Sequence, residues 1–188
     1  MVVGRRRQLR RRRRRRELVM RIGRWIRHAA RTPRAVDRAF PPTVLGRIEE
    51  AIRDSEVRHR GEIRLAVEAA LPWSYVKRDA PVRERAEMLF AKLRMWDTDE
   101  RNGVLIYVEL ADQGIEIVAD RGLARVVPPQ AWPPIVAQMA ERFRAGDFEG
   151  GAKAGIDGVA RLLAEHFPAR EGEVNRNELP NRPYVGGR

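Results

Sequence analysis

Residues 103–110 read GVLIYVEL, and Val104 to Val108 form an unbroken run of β-branched, aliphatic and aromatic side chains. A strand that is apolar on both alternating faces must be covered on both, which excludes a sheet with one wet face. The turn sequence Ala111-Asp112-Gln113-Gly114 follows, and IEIVA at 115–119 returns, so the segment specifies a β-hairpin. Whatever surrounds this hairpin has to supply two apolar layers.

Helical patterns on either side can supply them. Val44, Leu45, Ile48, Ala51 and Ile52 recur at helical spacing within a predicted helix from Thr43 to about Arg60. Val82, Ala86, Leu89, Phe90 and Leu93 form the stripe of a second helix, from about Ala80 to Met95, with Asp79 placed to cap it. Pro133 and Pro134 fit only the first turn of a third, which carries Ile135, Val136, Met139, Ala140 and Phe143 on its buried side. A fourth begins near Phe148 and stops at Pro168. Between the first two helices, EIRLAVEAA at 62–70 alternates and reads as a half-covered strand near a sheet edge. Arg125-Val126-Val127 reads as a short further strand. The expected class is α/β, a central mixed β-sheet sandwiched by helices, with an arm at 1–38, a domain at 39–168 and a flexible tail at 169–188.

Charge divides along the same boundaries. Residues 1–38 hold 16 arginines against Glu17 and Asp37, a net of +14, and the remainder holds 22 basic against 24 acidic residues, a net of −2. The domain is nearly neutral, and the basic character is local to the arm. Arg11, Arg12, Arg13, Arg14, Arg15 and Arg16 repel one another too strongly to fold alone. This stretch fits a nucleic-acid tail, a membrane tether, or translation from a start upstream of an alternative one at Met20. Residues 17–31 form a short basic amphipathic helix, with Leu18, Ile22, Trp25, Ile26 and Ala29 on one face and Arg21, Arg24 and Arg27 among the rest. Its apolar stripe can lie on an anionic membrane surface or on the domain itself. The arm therefore predicts peripheral membrane association or contact with nucleic acid, in a protein that is cytoplasmic or peripherally bound. No run reaches the roughly 18 apolar residues of a transmembrane segment, and cysteine is absent, which removes disulfides and thiolate metal sites.

Chemistry-bearing motifs are sparse. There is no phosphate loop, no paired-histidine zinc motif and no nucleophile beside a base, and His28, His59 and His166 are scattered. One polar cluster, WDTDERNG at 96–103, links a helix end to the central strand. Asp97, Asp99 and Glu100 offer hard oxygen ligands suited to Ca2+ or Mg2+, although a solvated acidic loop accounts for the same spacing. Asp120, at the far end of the hairpin, joins them only if its strand ends at the same edge of the sheet. Asp112, in the hairpin turn, belongs to the opposite end.

The stretch KLRMWDTDERNGVLIYVELADQGIEIVADRGL at 92–123 resembles the TPM domain family, and the order of elements follows that family from about Phe40 to Phe167. The resemblance implies a sheet between helical layers. It also implies membrane anchoring or export in many members, photosystem repair in plants, weak acid phosphatase activity in some, and divalent metal held by acidic loop residues in others. Here Asp97, Asp99 and Asp120 stand in the corresponding loops. VADRGL replaces the family's glycine-rich turn and FPP replaces its opening motif, which argues against phosphatase activity. The expected protein is a TPM-like module with weak or no activity. A phosphatase using metal-activated water and a polyanion binder acting through the arm are the alternatives.

Overall fold

The structure is a computed structural model and describes residue 20, residues 22–170 and residues 177–186. Residues 22–30 are helical and are named α1. Then follow α2 (Pro33–Ala39), α3 (Pro42–Ser55), β1 (Ile63–Glu68), α4 (Trp73–Lys77), α5 (Val82–Lys92), β2 (Val104–Glu109), β3 (Gly114–Ala119), α6 (Arg121–Val126), α7 (Trp132–Arg144), α8 (Phe148–His166) and β4 (Tyr184–Val185).

The four strands form one mixed sheet in the order β3-β2-β1-β4. β1 runs parallel to β2 and to β4, while β3 returns antiparallel to β2 with Val104 opposite Ala119 and Glu109 opposite Gly114. The side chains of β2 divide between two cores, as its apolar run requires. Val104, Ile106 and Val108 face one layer with Ile63, Leu65 and Val67, against Ile48 and Ile52 of α3, Met139 of α7 and Ile156 and Val159 of α8. Leu105 and Tyr107 face the other with Ala66 and Val118, against Ala86 and Leu89 of α5. Burial of apolar surface at about 25 cal/mol per Å² in both layers is the main stabilising term.

Several elements differ from the sequence expectation. β1 is not an edge strand: it lies between β2 and β4, and only Arg64 along it is less than fully buried. The alternation misleads because Glu68 is 3% exposed and neutralised internally. Arg85 donates to it through Nε at 2.8 Å and again through its terminal nitrogen, and the Tyr107 hydroxyl donates at 2.8 Å. Residues 125–127 are not a strand, because Asp120 accepts from the Arg121 N–H and starts α6 instead. The 169–188 segment supplies β4, and it buries Leu179 and Asn181. The arm expected at 1–38 ends earlier, since Val36 of α2 is 1% exposed and belongs to the first core.

α1 docks by its polar face. Arg24, Arg27 and His28 point at the domain, while Ile22, Trp25 and Ile26 are 47%, 38% and 62% exposed. Membrane association, expected from the stripe and its arginine rim, is corrected here. Among the described residues no helix is long and apolar enough to cross a membrane, and the basic face assigned to anionic lipid is engaged on the domain. Arg11, Arg12, Arg13, Arg14, Arg15, Arg16 and Arg21 lie outside the described residues.

Candidate functional site

Polar groups collect at the two opposite ends of the sheet. At the carboxyl end of β2, Glu109 is fully buried, and its two oxygens accept from the Ala111 N–H at 2.9 Å and the Asp112 N–H at 2.7 Å. The hairpin turn sets Asp112 beside it. α1 completes the group: Arg24 Nε donates to Asp112 at 2.7 Å, Arg27 donates at 3.0 Å, and His28 Nε2 lies 3.0 Å from the same carboxylate. Arg24 also binds Asp79 at 2.6 Å and the Ala80 carbonyl at 2.7 Å. Leu71 donates its N–H to His28 Nδ1 at 3.1 Å, which leaves the imidazole proton on Nε2, toward Asp112. Trp25 meets Trp73 edge-on with ring centroids 5.4 Å apart.

His28, Glu109 and Asp112 bring one ligand atom each within 4.8 Å of one another, the one such group among the described residues, and this arrangement could hold a divalent ion. Most of the atoms are engaged, however. Two guanidinium groups neutralise Asp112, and backbone N–H groups occupy both Glu109 oxygens and His28 Nδ1, while His28 Nε2, buried, has only the Asp112 carboxylate beside it. Burial would raise the Asp112 pKa, but hydrogen bonds from His28, Arg24 and Arg27 outweigh it and hold the carboxyl below its ordinary value. With those contacts in place the group fastens α1 to the hairpin.

The other end holds the acidic loop read from the sequence. Register Val104–Ala119 brings the end of β3 to the start of β2, so Asp120 does reach the 97–103 loop: its N–H donates to the Gly103 carbonyl at 2.9 Å, and Gly122 donates to the Arg101 carbonyl at 2.8 Å. Asp97 is exposed and paired with Arg94 at 2.5 Å. Asp99 is exposed, and its N–H donates to Glu178 at 3.0 Å. Glu100 pairs with Arg60 and, at 3.5 Å, with Arg170. Asp120 is 6% exposed and uses one oxygen to cap α6, while its Oδ2 and the Oε2 of Glu100 are buried with no hydrogen-bond partner. A Ser55–His59 contact of 3.3 Å also exists, but both residues are buried and the Ser55 hydroxyl donates to the Ile52 carbonyl, so no substrate reaches it.

A model of the TPM domain matches residues 37–162. This chain belongs to the TPM domain family. Among solved structures, that of the BA42 protein from the psychrophilic bacterium Bizionia argentinensis, determined by NMR, is similar at a TM-score of 0.67 and 33% identity, covering 77% of this chain and 93% of that one. No curated protein matches it. Of the residues proposed from the sequence as cation ligands, no three among Asp97, Asp99, Glu100 and Asp120 bring ligand atoms within 4.8 Å of one another. Sequence reasoning missed the role of His28. The available signal was Glu109, an acid closing an apolar strand, which needs a donor from elsewhere.

Buried titrating groups predict an unusual pH response for this TPM domain. Burial pushes the carboxyls of Glu62 and Glu109 up to about 7, despite backbone hydrogen bonds that pull back, and pushes the buried imidazole of His59 down to about 4. Each raised carboxyl stabilises the fold fully below pH ~4.5, and that stabilisation is lost as pH rises to about 7. His59 has the opposite sign, since its stabilisation is lost as pH falls from ~6.5 to about 4. Two contributions of similar size, on the order of 3 kcal/mol each, thus oppose one. Chemical denaturation should find the protein less stable at pH 7 than at pH 4.5. The Glu62→Gln, Glu109→Gln double variant should reverse that slope, and an unchanged slope would disprove the assignment.

Proposed function

We propose that this TPM domain binds a divalent cation where α6 meets the 97–103 loop, and that it acts as a cation-responsive module with weak or no hydrolytic activity. The observation that carries the reading is Asp120 Oδ2, a carboxylate oxygen buried without a donor. Leaving such an atom unsatisfied costs about 1–3 kcal/mol, more for a charged group, and a hard cation removes that cost. Glu100 Oε2 is a second such atom, and Asp97 and Asp99, both exposed, belong to the same loop. Ca2+ and Mg2+ suit an all-oxygen donor set. A bound ion would supply Lewis acidity and an activated water, and Asp120 would hold and orient it.

Calorimetry with CaCl2 and MgCl2 tests this on the full chain. Asp120→Asn should weaken binding by about ten-fold or more, the loss of one strong ligand being worth at least 1.4 kcal/mol. The Asp97→Ala, Asp99→Ala double variant should weaken it less, and Asp112→Asn should leave it unchanged. Loss of binding in Asp112→Asn alone would move the ion to the His28, Glu109 and Asp112 group, the second reading, which its 4.8 Å convergence favours. No heat at millimolar metal would remove both.

A further inference from the structure

A cavity at the carboxyl end of β2, the opposite end of that strand from the Asp120 site, lies between α2, the hairpin and the α7–α8 corner. Its volume is about 390 Å³, within the range of small-molecule sites. Val108, Leu110 and Ile115 of the hairpin form one wall, and Phe143 and Phe148 form the other. Those two rings stack at 5.5 Å, and Phe40, fully buried, meets each edge-on at 6.2 and 5.5 Å, so the aromatic wall is held in place from behind.

The rim is cationic. Arg31, at the α1–α2 junction, Arg38 of α2 and Arg144, the last residue of α7, all border the cavity and are exposed. None of the three guanidinium groups has an acidic partner among the described residues, whereas Arg24, Arg47, Arg78 and Arg85 all do. Three segments of chain converge three uncompensated charges on one apolar opening. The one acid in the lining is Glu109, and its oxygens are turned onto the Ala111 and Asp112 N–H groups.

We infer that this cavity binds an anionic amphiphile, a carboxylate or phosphate head held by Arg31, Arg38 and Arg144 with an apolar body packed between the hairpin and the Phe143–Phe148 wall. Burial of the apolar body supplies affinity, and the arginine rim supplies the choice of head group. The site is independent of the cation proposed above, since the two lie at opposite ends of β2 and share no residue.

The test is calorimetric titration of the full chain with dodecanoate, dodecyl phosphate, dodecanol and dodecyltrimethylammonium, each below its micelle concentration, and with inorganic phosphate. The two anionic amphiphiles should bind at one per chain, and comparison of the pair identifies the preferred head group. The alcohol and inorganic phosphate should bind at least about ten-fold more weakly, and the cationic amphiphile more weakly still. The Arg31→Gln, Arg38→Gln, Arg144→Gln variant changes only exposed side chains, and it should lose about ten-fold for the anions and nothing for the alcohol. Ala140→Trp, which fills the cavity from α7, should abolish binding of all four amphiphiles. Equal affinity for the alcohol or the cation, or unchanged anion affinity in the triple variant, would overturn the inference.

Discussion

Arg85→Met should destabilise the chain by about 3–5 kcal/mol, because it strands the Glu68 carboxylate inside the fold. Glu68 is 3% exposed, sits on the interior strand β1, and takes two hydrogen bonds from Arg85 and one from the Tyr107 hydroxyl. Burial, with the charge of Glu68 beside it, pushes the Tyr107 hydroxyl above its ordinary pKa, so Tyr107 remains a donor throughout the accessible pH range. The removed arginine leaves one neutral donor facing a buried charge. Denaturant unfolding measures the loss. The Glu68→Gln, Arg85→Met double variant should recover a large part of it, since the uncompensated charge is then gone. A loss under 1 kcal/mol in the single variant would mean that water reaches Glu68 and that the triad is not sealed.

Gly103→Ala should be comparably damaging for a steric reason. A Cβ at Gly103 would overlap the Met95 carbonyl oxygen. Met95 cannot retreat easily: it is fully buried, and its N–H is bonded to the Phe90 carbonyl at 3.0 Å. The added methyl has only backbone to push against, so the cost should reach or exceed the ~3 kcal/mol upper range of ordinary overpacking. Cation binding should weaken with it, because Gly103 also accepts from the Asp120 N–H. Gly46→Ala is the control. That glycine lies within α3 with nothing in reach of a Cβ, and the same change there should stabilise by about 1 kcal/mol. Thermal melts that fail to separate the two variants in opposite directions would refute the packing described around Gly103.

The sequence carried the central strand, the hairpin and the paired helices α7 and α8 because each has a local period. Val104 to Val108 has no polar face to misread, and the prolines at 133 and 134 fix where α7 starts. What it could not carry is decided between distant residues. An amphipathic pattern over 22–30 shows that α1 has two faces, but which face docks depends on Asp79, Glu109 and Asp112, more than 50 positions away. The alternation in β1 suggested a wet face because Glu68 resembles a solvent residue until Arg85 is placed over it. Asp120 and the 97–103 loop looked separate until the β2–β3 register joined them. β4 was invisible, since two residues have no period and their pairing with Ala66 and Val67 is wholly non-local.

That two-residue strand covers part of the outer edge of β1. β1 is apolar along most of its length, and among the described residues its outer edge is paired by Tyr184 and Val185 and by the Gly186 N–H, which donates to the Val67 carbonyl at 2.9 Å. At the far edge, Arg83 donates to the Ile117 carbonyl at 2.7 Å and puts a charge against the ladder of β3. Open edges of this kind template addition of further strands. Residues 184–186 also pack against Glu68, where a Cβ on Gly186 would overlap its carboxylate. Lifting this short segment would therefore hydrate the buried ion pair and bare a strand edge in the same step, coupling local fraying of the fold to its tendency to aggregate.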